Sequence, residues 1–188
     1  RFLGNMKADF EITQGLVAGV NLGYIRDDYE NFYFEPSTVR GGTSSGYGKR
    51  EYGNVESKIL ETTLTYTKTL DGGHSINAVA GYSFQEDRKD GLGAQGREPL
   101  SDYVQSFNIK TFNDVTVGDI WSYYETNRLI SFFGRVVYNY NNKYYATATL
   151  RRDGSSRFGA NHKWGWFPSG SLAWNLKQEA FLSDISEV

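Results

Sequence analysis

The chain has 188 residues, a formal net charge of −2 at pH 7 and no cysteine. The near-neutral charge gives no electrostatic reason to expect a nucleic-acid partner, and a sequence without thiols excludes disulfides, cysteine nucleophiles and cysteine-ligated metal centres. The mean hydropathy is −0.55, and no apolar stretch approaches the roughly 20 residues of a membrane helix. A membrane β-strand would not be detected in this way, because it is apolar on one face only.

Alternation of apolar and polar residues predicts four β-strands in the first half of the chain. They cover about residues 5–13, 16–34, 57–70 and 74–86. Gln14-Gly15 and Asp71-Gly72-Gly73 predict tight turns within each pair, since glycine accepts the positive φ of such turns. A polar loop, 35–56, separates the pairs. The apolar residues share even numbers, namely Met6, Ala8, Phe10, Ile12, Leu16, Ala18, Val20, Leu22, Tyr24, Leu60, Leu64, Tyr66, Leu70, Ile76, Ala78, Ala80, Tyr82 and Phe84.

A long loop over about 87–127 leads to three further predicted strands, at about 128–140, 144–152 and 164–176. Asn141-Asn142 predicts a tight turn, because asparagine tolerates left-handed φ better than other residues with a side chain. The tail from Lys177 to Val188 has room for one helical turn. The even-numbered apolar set continues with Ile130, Phe132, Val136, Tyr138, Tyr140, Tyr144, Ala146, Ala148, Leu150, Trp166, Leu172, Trp174 and Leu176, while Leu129, Phe133 and Val137 interrupt the opposite face.

The connections alternate between short and long, as in bacterial outer-membrane barrels, where tight turns face the periplasm and longer loops face the outside. The first, third, fifth and seventh strands then run towards the periplasm. We expect even-numbered residues to face lipid and odd-numbered residues to face a wet lumen, because the odd positions hold charges of both signs. Aromatic rows are expected at both interfaces: Tyr138, Tyr140, Tyr144 and Trp174 at the periplasmic one, and Tyr82, Phe84 and Trp166 at the extracellular one.

Seven antiparallel strands cannot close a bacterial barrel, which normally uses an even number from 8 upward, and open sheet edges are not tolerated in lipid. We therefore expect residues 1–188 to be part of a larger all-β transmembrane barrel. The chain opens on Arg1 without an initiator methionine or a signal peptide, which also leads us to expect a piece of a longer protein.

A sequence motif in the second half resembles one transporter family. Residues 149–159 are TLRRDGSSRFG, followed by WGWFPS at 164–169 and LAW at 172–174. Before them stands FFGRVVYNYNNKYYATATL at 132–150, and QEAFL follows at 178–182. These stretches, which span about 128–182, are similar to signature stretches of the SusC/RagA-type TonB-dependent outer-membrane transporters.

The resemblance implies a barrel of 22 strands around an N-terminal plug domain, in the outer membrane of a Gram-negative bacterium of the Bacteroidota kind. It implies energy from TonB on the periplasmic side and a SusD-like lipoprotein that covers the barrel as a lid. The cargo of the family is oligosaccharide or, in some members, peptide. The plug and N-terminal domains of the family are not expected within 1–188.

The motif residues can be interpreted as a binding loop or as structural elements, and we favour the structural role because transporters of different substrates share them. In that role Asp153 and Gly154 form a turn and the arginines pair with carboxylates on neighbouring strands. Arg151 has lumen parity, whereas Arg152 has lipid parity and must lie above the apolar band. The set is Arg151, Arg152, Asp153, Gly154, Ser155, Ser156, Arg157, Phe158, Gly159, Trp164, Gly165, Trp166, Phe167, Pro168 and Ser169.

The long loop 87–127 provides a second candidate site, because long loops without strands are often functional. Its aromatic residues are candidate contacts for substrate or for the lid: Tyr103, Phe107, Trp121, Tyr123 and Tyr124, accompanied by Asp102, Asn108 and Asp119.

No enzymatic, metal or cofactor site is predicted. His74 and His162 lack ligand spacing, and the acidic groups around Asp28 and Asp87 do not follow a calcium-loop pattern. Residues 41–49 lack the spacing of a phosphate loop. Two alternatives stay open. One is a soluble secreted β protein, either a carbohydrate-binding sandwich or a polysaccharide-degrading enzyme, which the aromatic loops favour. The other is a passive porin.

Overall fold

The computed structural model describes residues 1–38, 45–159 and 162–179, and it is almost entirely β-structure. Short 3-10 helices cover Gln105–Thr111, Val117–Asp119 and Leu176–Gln178. Among the described residues, no helix is long and apolar enough to cross a membrane. The strands are β1 Phe2–Thr13, β2 Leu16–Glu35, β3 Tyr47–Leu70, β4 His74–Pro99, β5 Phe112–Asp114, β6 Ile120–Tyr140, β7 Tyr144–Ser155 and β8 Trp164–Trp174.

The strands form one sheet in the order β1-β2-β3-β4-β6-β7-β8, and β5 pairs with β4. Each long strand therefore neighbours the next long strand along the chain. Strands β6 and β7 pair antiparallel from Leu129 opposite Ser155 to Tyr140 opposite Tyr144. This register sets even residues opposite even residues, and the β7–β8 pairing does the same. The parity predicted from the sequence thus defines two real faces, which we call the even face and the odd face.

The predicted tight turns are confirmed by the backbone. Gly15, Gly72 and Gly73 have φ near +80°, and Asn141 and Asn142 have φ of 52° and 55°. Two of the turns also bond to the neighbouring strand, since Thr67 donates its N–H to the Gly15 carbonyl and Asn141 to the Gly73 carbonyl, each at 2.7 Å. The first strand begins at Phe2, earlier than predicted.

The predicted long loops are too long. The loop predicted at 35–56 gives way to β3 at Tyr47, and the loop predicted at 87–127 is mostly strand, because β4 continues to Pro99 and β6 begins at Ile120. Strand β5 in that loop was missed, so the described sheet has eight strands and not seven. Both faces of these extensions hold polar and charged residues, which removes the alternation on which the prediction depended.

Backbone contacts divide the chain into two compact units. Unit 1 contains residues 1–4, 24–57 and 87–126, and unit 2 contains residues 5–23, 58–86 and the chain from residue 127 onward. Large side chains are rarely buried in either unit. Phe112 of unit 1 is the one buried apolar side chain among the described residues, at 6% exposure. Nearly all strand residues with large exposed apolar side chains have even numbers; the exceptions are Leu3, Tyr33, Val55 and Phe167.

Candidate functional site

Aromatic rings form two rows on the even face of unit 2. In one row, Phe132 lies 5.2 Å from Tyr82 and 6.2 Å from Trp164, measured between ring centroids. In the other row, Tyr144 lies 6.3 Å from Tyr140 and 6.2 Å from Trp174. The sequence predicted all three residues of the second row, but only Tyr82 of the first, which the structure completes with Phe132 and Trp164 in place of the predicted Phe84 and Trp166. Apolar residues such as Val136, 46% exposed, fill the space between the rows.

The odd face of unit 2 is a polar network. Asn5 donates its side-chain N–H to Asn21, which donates in turn to Glu61, each at 2.9 Å. Lys7 pairs with Asp9 at 2.9 Å on the same face. These bonds join β1, β2 and β3 through side chains, and they occur on the face that the sequence assigned to a wet lumen.

Arg151 belongs to this polar face. Its Nε donates to both carboxylate oxygens of Asp153, at 2.7 and 2.9 Å, and its guanidinium donates to the Ser131 hydroxyl at 3.0 Å. Ser131 is fully buried. The predicted partner of Arg151 was a carboxylate on a neighbouring strand, but Asp153 lies on the same strand. The predicted turn at Asp153 and Gly154 is also wrong, because both residues lie in β7, opposite Gly165 and Trp164 of β8.

Arg152 lies on the even face between two tryptophans. Its guanidinium carbon is 4.7 Å from the centroid of the Trp164 ring and 5.1 Å from that of the Trp166 ring. Its Nε is buried and has no hydrogen-bond partner among the described residues. The arginine predicted to lie above the apolar band is therefore held by aromatic stacking and not by a carboxylate.

The remaining motif residues lie around the β7–β8 connection. Trp164, Gly165, Trp166, Phe167, Pro168 and Ser169 are all in β8, and Ser155 ends β7. Ser156 joins this connection to β6, because its hydroxyl accepts the Arg128 N–H at 2.8 Å and its own N–H donates to the Arg128 carbonyl at 2.9 Å. Arg157, Phe158 and Gly159 are exposed.

In unit 1, aromatic and charged side chains cluster on the odd face. Tyr123 hydrogen-bonds to the Tyr29 hydroxyl and donates to Glu51 at 3.3 Å. Lys89 lies 5.4 Å from the Tyr123 ring centroid. Lys49 lies 5.2 Å from that of Trp121. We call these six residues, Tyr29, Lys49, Glu51, Lys89, Trp121 and Tyr123, the odd-face patch.

Glycines on neighbouring strands allow these rings to lie flat on the sheet. A Cβ atom on Gly93 would overlap the Trp121 ring, and one on Gly53 or Gly91 would lie about 2.5 Å from a tyrosine hydroxyl. An open cavity of about 530 Å³ in unit 1 is lined by Tyr29 and Tyr123 of the patch, by Gly53 and Gly91, and mostly by even-numbered residues such as Tyr52 and Tyr124. The planar aromatic and charged groups of the patch itself can contact a polar cargo by stacking and hydrogen bonding.

The predicted loop aromatics are divided by the structure. Only Trp121 and Tyr123 belong to the odd-face patch. Tyr124 lies on the even face with Arg88 5.0 Å from its ring centroid, and Phe107 is stacked by Arg50 at 5.0 Å. Tyr103 is 94% exposed. Asp102 accepts from the Ser37 N–H and hydroxyl, each at 3.1 Å, and the Asn108 carbonyl accepts from Thr111 at 2.8 Å.

Asp119 organises the connection between β5 and β6. Its carboxylate accepts from the Gln95 side chain at 2.8 Å and from the Thr116 N–H and hydroxyl at 2.9 and 2.7 Å. These bonds, led by the one from Gln95, lower the pKa of Asp119 to about 2. Phe112 covers Gly48 and Gly96 beside this connection. The loop is therefore ordered by a buried carboxylate and one buried ring.

In unit 2, Glu179 is a residue whose contacts sequence reasoning missed. It accepts from the Tyr144 hydroxyl at 2.7 Å and from the Trp174 indole at 3.2 Å, and pairs with Lys143 at 3.3 Å. The Tyr144 bond, followed by the Trp174 bond, lowers the pKa of Glu179. The helical turn predicted for the tail from Lys177 overlaps the 3-10 helix Leu176–Gln178, whereas 180–182 of the QEAFL stretch lies outside the described residues.

Most acidic residues considered for calcium form ion pairs or hydrogen bonds. Asp28 pairs with Arg26 at 3.0 Å, and Arg50 donates to Glu30. The Ser57 hydroxyl donates to Asp87 at 2.7 Å. Within the part of the chain that the structure describes, no group of three or more acidic, histidine or cysteine residues is arranged to hold a metal ion.

No family model matches the chain, but individual proteins do. The chain is 35% identical over its whole length to TonB-dependent receptor P3 of Formosa agariphila, covering 18% of that protein. It is 32% identical to TonB-dependent receptor P39 of the same organism over 93% of this chain and 17% of the relative. With TonB-dependent receptor SusC of Bacteroides thetaiotaomicron the identity is 43% over 65% of this chain and 12% of the relative. The chain thus spans less than a fifth of the length of these curated relatives.

Solved structures show the same fold. The RagAB peptide transporter matches 98% of this chain and 20% of its own, with a TM-score of 0.83 and 24% identity. The RagAB peptide importer in the 'open-open' state matches 88% of this chain and 18% of its own, with a TM-score of 0.67 and 27% identity.

Proposed function

Because this chain belongs to the SusC/RagA-type TonB-dependent receptors, we propose that it forms part of the wall of an outer-membrane barrel that imports nutrients. In this proposal residues 1–188 are one segment of the barrel, the even face contacts lipid, and the odd face lines the lumen. The relatives are named as receptors and transporters, which agrees with a chain that has no catalytic role.

The observation that supports this function best is the unequal chemistry of the two faces. The described strands bury almost no apolar side chain, yet the even face of unit 2 exposes many large apolar side chains. A soluble domain of this size needs a buried core, because burial of apolar surface is the main driving force for folding. Lipid provides that burial for the even face, while the hydrogen-bonded odd face stays compatible with water. The single described sheet also differs from the two packed sheets of the sandwich alternative.

The spacing of the aromatic rows supports the same conclusion. Trp164 and Trp174 stand at opposite ends of β8. At about 3.4 Å per residue they are about 34 Å apart along the strand. A strand tilted by 35–45° projects this length as about 24–28 Å on the membrane normal, and the apolar band of an outer-membrane barrel is about 25 Å tall. The two rows therefore have the separation expected of interfacial girdles.

We propose that the odd-face patch contacts the cargo. Trp121 and Tyr123 present ring surfaces beside Lys49, Glu51 and Lys89, so the patch combines stacking with hydrogen bonding to either sign of charge. Oligosaccharides and peptides both offer apolar surfaces and polar groups of this kind. Tyr103, which is almost fully exposed, is a candidate contact for the lid, together with Phe107 and Tyr124 outside the patch. The family-motif residues are assigned a structural role.

The partners follow from the relatives. A SusD-like lipoprotein lid is proposed because the sequence motif resembles SusC/RagA-type transporters, and because the relatives include the RagAB peptide transporter and SusC. TonB is proposed as the energy source because the relatives are named TonB-dependent receptors. Both partners would act through the full-length protein in the outer membrane of a Bacteroidota-like cell.

The membrane assignment can be tested by fractionation. Cells that produce the full-length protein are expected to retain it in the outer-membrane fraction until detergent is added, and the unboiled protein should migrate differently from the boiled protein on a denaturing gel. Release into the soluble fraction without detergent would contradict the proposal.

The cargo assignment can be tested with Trp121→Ala. The tryptophan presents a large stacking surface, and removal of such a contact costs about 2 kcal/mol, which is more than a tenfold loss of affinity. Uptake of labelled oligosaccharides and labelled peptides by cells with the variant should fall accordingly for the class that is imported. Phe32→Ala, which removes an exposed ring from the even face of β2 in unit 1, is the matched control and should leave uptake unchanged. Equal effects of the two variants would refute a cargo contact at the odd-face patch.

A further inference from the structure

We propose that Arg152 and Arg128 bind the phosphate headgroup of a membrane lipid, whose acyl chain lies in a groove on the even face below them. This site is distinct from the odd-face patch, and it rests on the proposed function, in which the even face contacts lipid. The lipid belongs to the outer leaflet, because the β7–β8 connection lies at the extracellular end of the proposed barrel.

The first argument is the state of the Arg152 side chain. Two tryptophans hold the guanidinium at 4.7 and 5.1 Å, and no carboxylate among the described residues pairs with it. Its Nε is buried without a partner. A partly buried cation without a counter-charge is costly. Phosphate is an anion that the planar fork of arginine recognises well, by charge-assisted and often bidentate hydrogen bonds.

The second argument is the groove below Arg152. A cavity of about 410 Å³ is lined by Phe132, Gly134, Leu150, Arg152 and Trp166 together with Phe133. Apart from the arginine its walls are apolar. A guanidinium at the end of an apolar groove matches the two parts of a lipid, a phosphate joined to hydrocarbon.

The groove continues along the even face. A second cavity of about 650 Å³ shares Gly134 and Leu150 with the first and extends past Ala80, Val136 and Ala148. The small side chains at Gly134, Ala80 and Ala148 form a depression beside the larger Leu150 and Val136. A hydrocarbon chain that enters beside Arg152 therefore has an apolar path towards the middle of the band.

Arg128 supplies a second cation on the even face, four residues before Phe132 of β6, which lies opposite Arg152. It lies on β6, and its side chain is 61% exposed. Its Nε donates to Glu86 at 2.6 Å, and its backbone is fixed by Ser156 at 2.8 Å. Glu86 offsets one of the two arginines, so one positive charge remains for a phosphate. Phe132 and Trp166 lie opposite Arg152 on the neighbouring strands and line the groove beside it, and aromatic rings of this kind are enriched at membrane interfaces.

The test is lipid binding to the full-length protein, purified in detergent and followed by native mass spectrometry. The probes are monophosphoryl lipid A, the same glycolipid without phosphate, phosphatidylethanolamine and inorganic phosphate. Wild type is expected to bind both phosphorylated lipids more tightly than the dephosphorylated glycolipid. Arg152→Gln should weaken their binding at least tenfold. The matched control is Arg157→Gln, an exposed arginine of the same connection, which should leave binding unchanged.

A second variant keeps the proposal refutable. If Arg152→Gln does not give a folded barrel, Arg128→Gln is measured in its place and should weaken binding of the phosphorylated lipids severalfold. The proposal is overturned if the phosphorylated and dephosphorylated glycolipids bind equally, if inorganic phosphate displaces the lipid at equal concentration, or if both Arg→Gln variants bind like wild type. These outcomes leave uptake by wild-type cells intact, whereas failure of the proposed import function would appear as loss of outer-membrane retention or of Trp121-dependent uptake.

Discussion

Replacement of Val136 by arginine is the strongest test of which face contacts lipid. Val136 lies on the even face of β6, 46% exposed, and four residues separate it from Phe132 on one side and from Tyr140 on the other. Four residues are about 14 Å along a strand, or about 10 Å along the membrane normal at a tilt of 45°. Val136 is therefore close to the middle of the apolar band, where the cost of a charge is greatest.

An arginine that faces lipid at the midplane costs about 2–4 kcal/mol in outer-membrane barrels. This corresponds to a decrease of about 30- to 900-fold in the equilibrium between folded and unfolded protein. The matched control is Val137→Arg, which makes the same substitution at the next residue of the strand, on the odd face. We expect its cost to stay below about 1 kcal/mol, because the odd face is already polar.

The assay is urea unfolding of the full-length barrel in lipid vesicles, followed by the mobility of the unboiled protein on a gel. The Val136→Arg protein should unfold at a clearly lower urea concentration than wild type. The Val137→Arg protein should unfold at nearly the same urea concentration as wild type. If Val137→Arg is the more damaging change, the odd face contacts lipid, and the assignment of the two faces is reversed.

Two further predictions concern the ends of the barrel wall and its glycines. The pKa of Asp119 is lowered to about 2, first by the hydrogen bond from Gln95, so its hydrogen bonds stabilise the 100–119 loop above about pH 4 and are lost as the pH falls towards 2. Pepsin cleavage of this loop in wild type should therefore rise as the pH falls from 4 to 2. Asp119→Asn should be cleaved readily at both pH 4 and pH 2. Gly81→Ala should lower the free energy of unfolding in urea by about 1–3 kcal/mol, because the new methyl group would overlap the Phe133 ring. Gly134→Ala is the control, because the nearest atom to its new methyl group is 3.9 Å away, and it should be neutral or slightly stabilising. Equal losses of stability in the two variants would refute the packing of the Phe133 ring on Gly81.

The tight turns and the strand segments next to them could be predicted because the sequence signals there are local. Asn141 and Asn142 were predicted to adopt left-handed φ, and both do. The period-two pattern in β6 and β7 placed each residue on its face, since one face is apolar and the other polar. Phe133 interrupted the polar face of the fifth predicted strand. The structure explains its presence there, because its ring lies over Gly81 on the neighbouring strand, and this contact cannot be read from the sequence alone.

The strand segments far from the tight turns, and the residues that complete the sites, could not be predicted in this way. Where both faces of a strand are polar, the alternation vanishes, and the extension of β4 to Pro99 was assigned to a loop. The odd-face patch depends on partners that are distant in sequence, such as Tyr29 and Tyr123, which are 94 residues apart. Glu179 was noted only as part of the QEAFL stretch, because its bonds to Tyr144 and Trp174 depend on the pairing of β7 with β8.

The outer boundary of the apolar band is specified separately by each strand. On four of the long strands the even positions change from an apolar residue to a charged one within a single step of two residues. In the proposed barrel, each step ends the apolar part of its strand. Beyond the step both faces of the strand can be polar, which is compatible with the cargo contact proposed for the odd face and with the lipid headgroup proposed for the even face. The steps are Tyr24 to Arg26, Phe84 to Glu86, Ile130 to Arg128 and Leu150 to Arg152.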